Sequence, residues 1–534
     1  MAASISPQDL RTALADGGEI ALLDVREELI FSQNHLLLAR SVPLSRFELK
    51  LKALVPRCAT RIVLCDDGDG LANRAAALLA RNGYTDVRIL EGGIAHWRAA
   101  GYELFSGVNV PSKAFGEYIE HANVTPGIAA AELEKLIKIG ADLVVLDSRP
   151  MDEFTRMSIP TATNVPGAEL VYRAREIAPN PDTIVVVNCA GRTRSIIGAQ
   201  SLINAGLPNK VLALRNGTMG WRLAGFDCDH GKDRRAPRVS PRTQGWAAPA
   251  AQAVARRCGV RRIDRATFEA FRRDESRTLY LFDVRGPAEY EAGHVAGAIS
   301  APGGQLVQAT DQYVGTLGAR IVLVDDAAVR ADMTASWLRQ MGHADVFVLV
   351  ESGSESGRPA HALLESEPAV ATADAAIDCA ALQELIARNA VTVIDLSLSR
   401  DYLARHIPGA WYAIRTRLGA ALKKIPSPQS LVLTSEDGVL ARLAVAEAKA
   451  AVSCPVRYLA GGNAAWAADG RSFATGPRMA DEPVDQWRKP YERSGDTEAA
   501  MREYLAWEID LLPKIERDGT LRFFHLPAPA EADS

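Results

Sequence analysis

This sequence predicts an α/β fold repeated four times in tandem. Each copy is expected to be a mostly parallel sheet flanked by helices, with a helical extension after the last. Three observations carry that reading. An apolar strand ending in aspartate recurs four times. Short β-branched runs alternate with helical patterns such as Leu71 to Arg81 and Ser195 to Ala205. A chain of 534 residues is far beyond one hydrophobic core and fits four domains of ordinary size.

The elements of each copy follow one order. First come the strands Leu22-Leu-Asp-Val-Arg26, Val145-Leu-Asp-Ser-Arg149, Leu281-Phe-Asp-Val-Arg285 and Val393-Ile-Asp-Leu-Ser397, anchored by Asp24, Asp147, Asp283 and Asp395. A turn follows, clear as His294-Val-Ala-Gly-Ala298 and His406-Ile-Pro-Gly-Ala410, worn down at His35 and at Ser158. Second strands begin at Ile62, Ile184, Ile321 and Leu431. A third strand then leads into Gly92-Gly-Ile-Ala-His-Trp97, Asn216-Gly-Thr-Met-Gly-Trp221 and Gly461-Gly-Asn-Ala-Ala-Trp466, with a degenerate Glu351-Ser-Gly in the third copy.

Only the second copy follows its second strand with a thiol, in the stretch Cys189-Ala-Gly-Arg-Thr-Arg-Ser195. Helix N-terminal N–H groups and two guanidinium groups favour a thiolate over a thiol, and they form a basket for an anion. Aligning the second strands on their apolar runs sets Asp67, Asp326 and about Glu436 opposite Cys189. A carboxylate cannot act as the thiolate nucleophile, so three copies read as inert. Cys65 then aligns with Val187 and reads as core.

Taken together, the ordered motifs resemble the rhodanese (sulfurtransferase) family. The resemblance implies inert domains at 1–106, 255–353 and 374–474, a catalytic domain at 123–230, and a C-terminal helical extension at 475–534. It implies a thiosulfate sulfurtransferase-like transferase that works by double displacement through a Cys189 persulfide. Sulfane sulfur would pass from thiosulfate or a similar small anionic donor to cyanide, a thiol or a protein acceptor. The loop amides of Ala190, Gly191, Thr193 and Ser195 are expected to hold the persulfide charge. Arg192 and Arg194 are the candidates for gripping the donor, because guanidinium forks match oxyanions. Arg149 recurs in inert copies, so a direct substrate role is the lesser reading for it; Asp147 and Trp221 read as structural, and Cys228 as a spectator. Two alternatives stand beside this one. One is a rhodanese-like scaffold or persulfide carrier that docks a partner enzyme. The other is a cysteine phosphatase, although Arg194 follows Cys189 after four residues where that chemistry uses five.

Composition agrees with a globular protein: 48% hydrophobic and 24% charged residues. A net charge of −4 argues against a nucleic-acid binder driven by bulk electrostatics. Seven cysteines without metal-ligand spacing point to a reducing compartment and no structural zinc, and no cofactor is expected. With no leader pattern at the N-terminus and no apolar run long enough to span a membrane, the expectation is cytoplasmic. Residues 107–122, 231–254 and 352–373 read as linkers, the second as an exposed crossing with an Arg cluster. Thr497 to Ile515 reads as an amphipathic helix whose apolar set is Met501, Tyr504, Leu505, Trp507, Ile509 and Leu512. That face is expected to pack on the chain itself or to form an oligomer contact. The residues from Pro527 read as a frayed tail.

Overall fold

Each anchor aspartate is the last residue of its strand: Ile20–Asp24, Leu143–Asp147, Leu279–Asp283 and Thr392–Asp395. In the computed structural model, which describes residues 2–526 except 352, 354–355, 357–362, 365–374 and 427, these strands lie next to the centre of four separate five-stranded sheets. Within each sheet the strands run in the order first, fifth, fourth, second, third, and every paired neighbour is parallel. Parallel strands buried on both faces need near-continuous apolar runs. Ile20–Asp24 is buried throughout, and Ile184–Asn188 almost so.

The motifs that recur in the copies without a loop cysteine hold the sheets together. Asp24, Asp147 and Asp283 each accept the guanidinium two residues on, and that arginine also donates to a carbonyl eight residues further (Asn34, Met157 and Gly293). In the fourth copy Ser397 and Asn463 serve Asp395 instead. His35, His294 and His406 stack on the aromatic ring four residues before them, at 4.0, 4.0 and 4.1 Å. Trp97, Trp221 and Trp466 are buried, and each indole N–H donates to the carbonyl six residues on. These motifs are packing devices.

Two expected linkers are largely helical. Most of residues 107–122 lies in the helix Val110–Asn123, whose buried face includes Ala114, Phe115, Glu117 and Ile119. Of residues 231–254, the stretch 231–240 is a mostly exposed crossing as expected, while the rest is helical. Ser240 caps a helix over Pro241–Arg257, and its residues Ala247, Ala251 and Val254 join the core of the second copy. The sequence hid both because short alanine-rich or polar stretches show weak periodicity; neighbouring domains supply the apolar partner. Most of 352–373, and everything from Pro527, lies outside the described residues.

The C-terminal helix runs Thr497–Asp518, capped by Asp496 and ended by Gly519 at φ +69°. Its buried face is Met501, Leu505, Glu508, Leu511 and Ile515, packed against the chain's own first and second copies. Ile509, expected on that face, is 48% exposed. The face that could have made an oligomer contact is spent inside the chain. Among the described residues no helix is long and apolar enough to cross a membrane.

Candidate active site

Strand register corrects the alignment of the four copies. Asp147 pairs with Asn188 in the same way that Asp24 pairs with Cys65, Asp283 with Val324 and Asp395 with Thr434. Cys189 therefore corresponds to Asp66, Asp325 and Ser435, one residue before the positions expected from the apolar runs. Cys65 corresponds to Asn188, not Val187. Asn188 caused the slip: it ends its strand with a polar side chain where the others have Cys65, Val324 and Thr434. Its amide donates to Asp147 Oδ2 at 2.8 Å and Thr218 Oγ1 at 3.1 Å, which pays for the burial. Cys65 is core as expected, and burial pushes its thiol well up.

The corrected register exposes a common cradle. The side chains of Asp66, Asp325 and Ser435 each accept the backbone N–H six residues on, from Ala72, Ala331 and Ala441. At the same offset in the second copy, Cys189 Sγ lies 3.5 Å from Ser195 Oγ. The Ser195 hydroxyl donates to the Arg192 carbonyl at 2.7 Å, so its oxygen faces the sulfur. Among the described residues, the backbone N–H groups of Ala190 to Ser195 meet no acceptor. The helix Thr193–Asn204 starts here, so its first amides and its dipole point at the loop. Thr218 N–H and hydroxyl fix the Cys189 carbonyl at 2.8 and 3.0 Å. Gly217, at φ +53°, lets that turn approach; a Cβ there would sit 2.4 Å from the same oxygen.

The two loop arginines differ in their ties. Arg192 forks onto Glu117 with both bonds at 2.7 Å, reaches Glu120, and donates to Asn216 at 3.2 Å. Its donors are largely spent on the helix Val110–Asn123. Arg194 forks onto Glu153 at 3.1 and 3.0 Å and donates to Gln305 of the third copy at 3.2 Å. Glu153 also accepts Lys489 at 3.1 Å. Burial works against its charge, yet Arg194 and Lys489 hold its carboxyl well below the usual carboxylate range. Arg149 is 1% exposed, bonded to Asp147 and Met157, and absent from the cavity wall. Cys228 lies outside that wall too, and burial pushes its thiol up to about 11.

Cys189 is 2% exposed and opens onto a cavity of about 260 Å³. Asn109 from beside the first copy, Gln305 and Gln312 from the third and Arg400 from the fourth line it with Lys489, Tyr491 and Tyr504 of the extension. Glu508, fully buried, sits behind the loop: it pairs with Lys113 at 3.2 Å and accepts Tyr504 at 3.1 Å. A Cβ on Gly191 would lie 2.9 Å from it, so the extension packs this close only because that residue is glycine. Sequence reasoning missed Glu117, Glu153, Lys489, Tyr504 and Glu508. None carries a local motif, and tertiary packing alone brings them to the loop. Among the described residues there is no cluster able to hold a metal ion.

With fold and site in view, comparison with known proteins assigns the chain to a family. The Rhodanese-like domain model matches residues 6–100, 129–224, 267–355 and 378–469, well over half the sequence, and the protein belongs to that family. A crystal structure of thiosulfate sulfurtransferase from Pseudomonas aeruginosa is 48% identical, covers 98% of this chain and 100% of its own, and superposes with a TM-score of 0.94. An HTH-type transcriptional regulator of Mycobacterium tuberculosis is 33% identical over 104 residues, which is 20% of this chain; the match spans 45% of the regulator.

Proposed function

We propose that the protein is a sulfurtransferase that carries sulfane sulfur on Cys189, with thiosulfate as donor. The Cys189 thiolate attacks the outer sulfur of thiosulfate. A bond forms between Sγ and that sulfur, the bond to the sulfonate sulfur breaks, and sulfite leaves with the electron pair. The resulting persulfide passes its outer sulfur to a nucleophile in a second displacement, and Sγ regains its electron pair.

The observation that carries this reading is the shared cradle. In three copies a carboxylate or hydroxyl fills the position six residues before an inward-facing helix N–H. In the second copy sulfur occupies it, above six unclaimed loop amides. A position whose helix N–H groups elsewhere receive a side-chain oxygen is suited to a thiolate and to a persulfide anion. Arg194, beside the cavity and held by Glu153, is the guanidinium we assign to the donor; Arg192 and Arg149 are assigned to holding the loop and strand in place. The near full-length relative named thiosulfate sulfurtransferase supports the donor. Seven unpaired thiols favour a reducing compartment such as the cytoplasm.

The test is the intact mass of the reduced protein after brief exposure to thiosulfate, beside Cys189→Ser. One added sulfur atom, removed by cyanide and absent from the variant, is the expected result. A variant that gains the same mass would place the chemistry elsewhere.

A further inference from the structure

The second and third copies meet across a local two-fold axis, so that a contact made in one direction recurs in the other. A Cβ on Gly304 would lie 2.9 Å from the Gly167 nitrogen, and one on Gly303 would lie 2.8 Å from the Ala168 Cβ. Gly167 and Gly303 stand equally far along the chain from their anchor aspartates, Asp147 and Asp283, as do Ala168 and Gly304. The axis relates two arginine clusters. Arg194 and Arg330 each follow the cradle position, Cys189 or Asp325, by five residues. Each binds the glutamate six residues after its own anchor aspartate, Glu153 or Glu289. Each also binds one side chain that reaches over from the other copy. That side chain is Gln305 at Arg194, at 3.2 Å, and Glu169 at Arg330, at 3.0 Å, and the two occupy matching positions.

We propose that Gln305 is a positioning residue of the sulfur-donor site. It is an uncharged tie from the third copy that holds Arg194 without neutralising it, and so selects an anionic donor. The proposal rests on, and deepens, the sulfurtransferase reading above.

The cluster around Arg330 shows the opposite arrangement. Arg330 meets four carboxylates: Asp325 at 3.1 Å from Nε and 2.9 Å from Nη2, Asp326 at 2.8 Å, Glu289 at 2.9 Å and Glu169 at 3.0 Å. Its charge is more than offset from within the protein. Asp325 holds the place of Cys189, so its carboxylate marks where an anion carried at that position lies relative to the guanidinium. Arg194 meets one carboxylate, Glu153, which Lys489 shares at 3.1 Å. Among the described residues Arg194 Nε donates to nothing, although the corresponding Nε of Arg330 grips Asp325. Two cations against one carboxylate leave this cluster net positive, on the wall of the Cys189 cavity that Gln305 also lines. A carboxylate at position 305, as at 169, would cancel that charge.

The experiment measures how fast iodoacetate and iodoacetamide alkylate Cys189 in the full-length reduced protein, read by mass on the Cys189 peptide. In both reactions Sγ bonds to the methylene carbon and iodide leaves with the electron pair. The reagents share a shape and differ in charge, so their rate ratio cancels changes in thiol acidity and access. Gln305→Glu should lower the iodoacetate to iodoacetamide ratio about tenfold or more. It should raise the thiosulfate KM by a similar factor, with kcat within about threefold. Gln305→Ala removes the tie and adds no charge. Gln312→Glu adds charge to the same wall, beside Asn109 rather than Arg194. Each of these should move the ratio by less than about threefold. An unchanged ratio in Gln305→Glu, or an equal fall in either other variant, overturns the proposal. If thiosulfate leaves no sulfur on the parent Cys189, the sulfurtransferase reading fails instead, while the alkylation ratio still decides the role of Gln305.

Discussion

On the proposed reading, the side chain at position 189 is what separates the second copy from its three counterparts. Asp66, Asp325 and Ser435 occupy the cradle with a fixed oxygen, whereas in the proposed function Cys189 leaves the loop amides to a group that arrives with the substrate. Arg194 is the cation best placed to meet that group, because its fork already faces Glu153 and Gln305 at the cavity. A hydrogen bond to a charged partner contributes about 1.5–3 kcal/mol, roughly 10–100-fold in rate or binding. Arg194→Gln should therefore lower kcat/KM for thiosulfate by about that factor, mainly through KM. Lys489 remains to neutralise Glu153 and keep the site folded. Steady-state kinetics with thiosulfate checks this, and an unchanged KM would remove Arg194 from donor binding.

Among the elements, the C-terminal helix Thr497–Asp518 matters most to the site. Its N-terminal half brings Tyr504 and Glu508 against the loop, while Leu511 and Ile515 are buried in the core of the first copy. The helix therefore couples the packing of the first copy to the geometry around Cys189. Leu511 is 1% exposed, and truncating a buried leucine costs about 2–5 kcal/mol through lost transfer energy and an unfilled cavity. Leu511→Ala should lower the denaturation midpoint accordingly. It should also raise the reactivity of Cys189 towards a bulky thiol reagent such as a maleimide, as the helix packing against the loop loosens. Equal alkylation rates in parent and variant would argue against that coupling.

For the whole molecule, the copies are joined by buried polar bonds as well as apolar contact. Arg415 of the fourth copy forks onto Glu48 of the first at 2.8 Å, and Trp337 of the third donates to Ser201 of the second at 2.9 Å. Arg330, 1% exposed, links Glu169 of the second copy at 3.0 Å with Asp325, Asp326 and Glu289 of the third. Burial opposes that charge, and the surrounding carboxylates outweigh it, raising the affinity of Arg330 for its proton. Removing one partner of a buried ion pair costs about 3–5 kcal/mol because the other charge is left uncompensated. Arg330→Ala should thus destabilise the protein by that order in urea, with the second and third copies affected together. A change below about 0.5 kcal/mol would show that these domains are energetically separate.

The sequence by itself determined the fourfold α/β repeat, the anchor aspartates at strand ends, the structural standing of the His and Trp motifs, and Cys189 as the candidate nucleophile. All of these are local: strand periodicity, turn chemistry and a thiol before a helix start are written within a few residues of each other. The register slipped by one because Asn188 is a polar strand end, and only its bonds to Asp147 and Thr218 reveal it as part of the strand. The helices at 110–123 and 241–257 were hidden because their apolar partners lie in other domains. Tertiary structure alone decided that Glu117 occupies Arg192, that Glu153 holds Arg194, and that residues from every copy and from the extension wall the cavity. Contacts between residues hundreds of positions apart leave no periodic trace in the chain. They become visible only when packing brings those side chains to the same few ångströms of space.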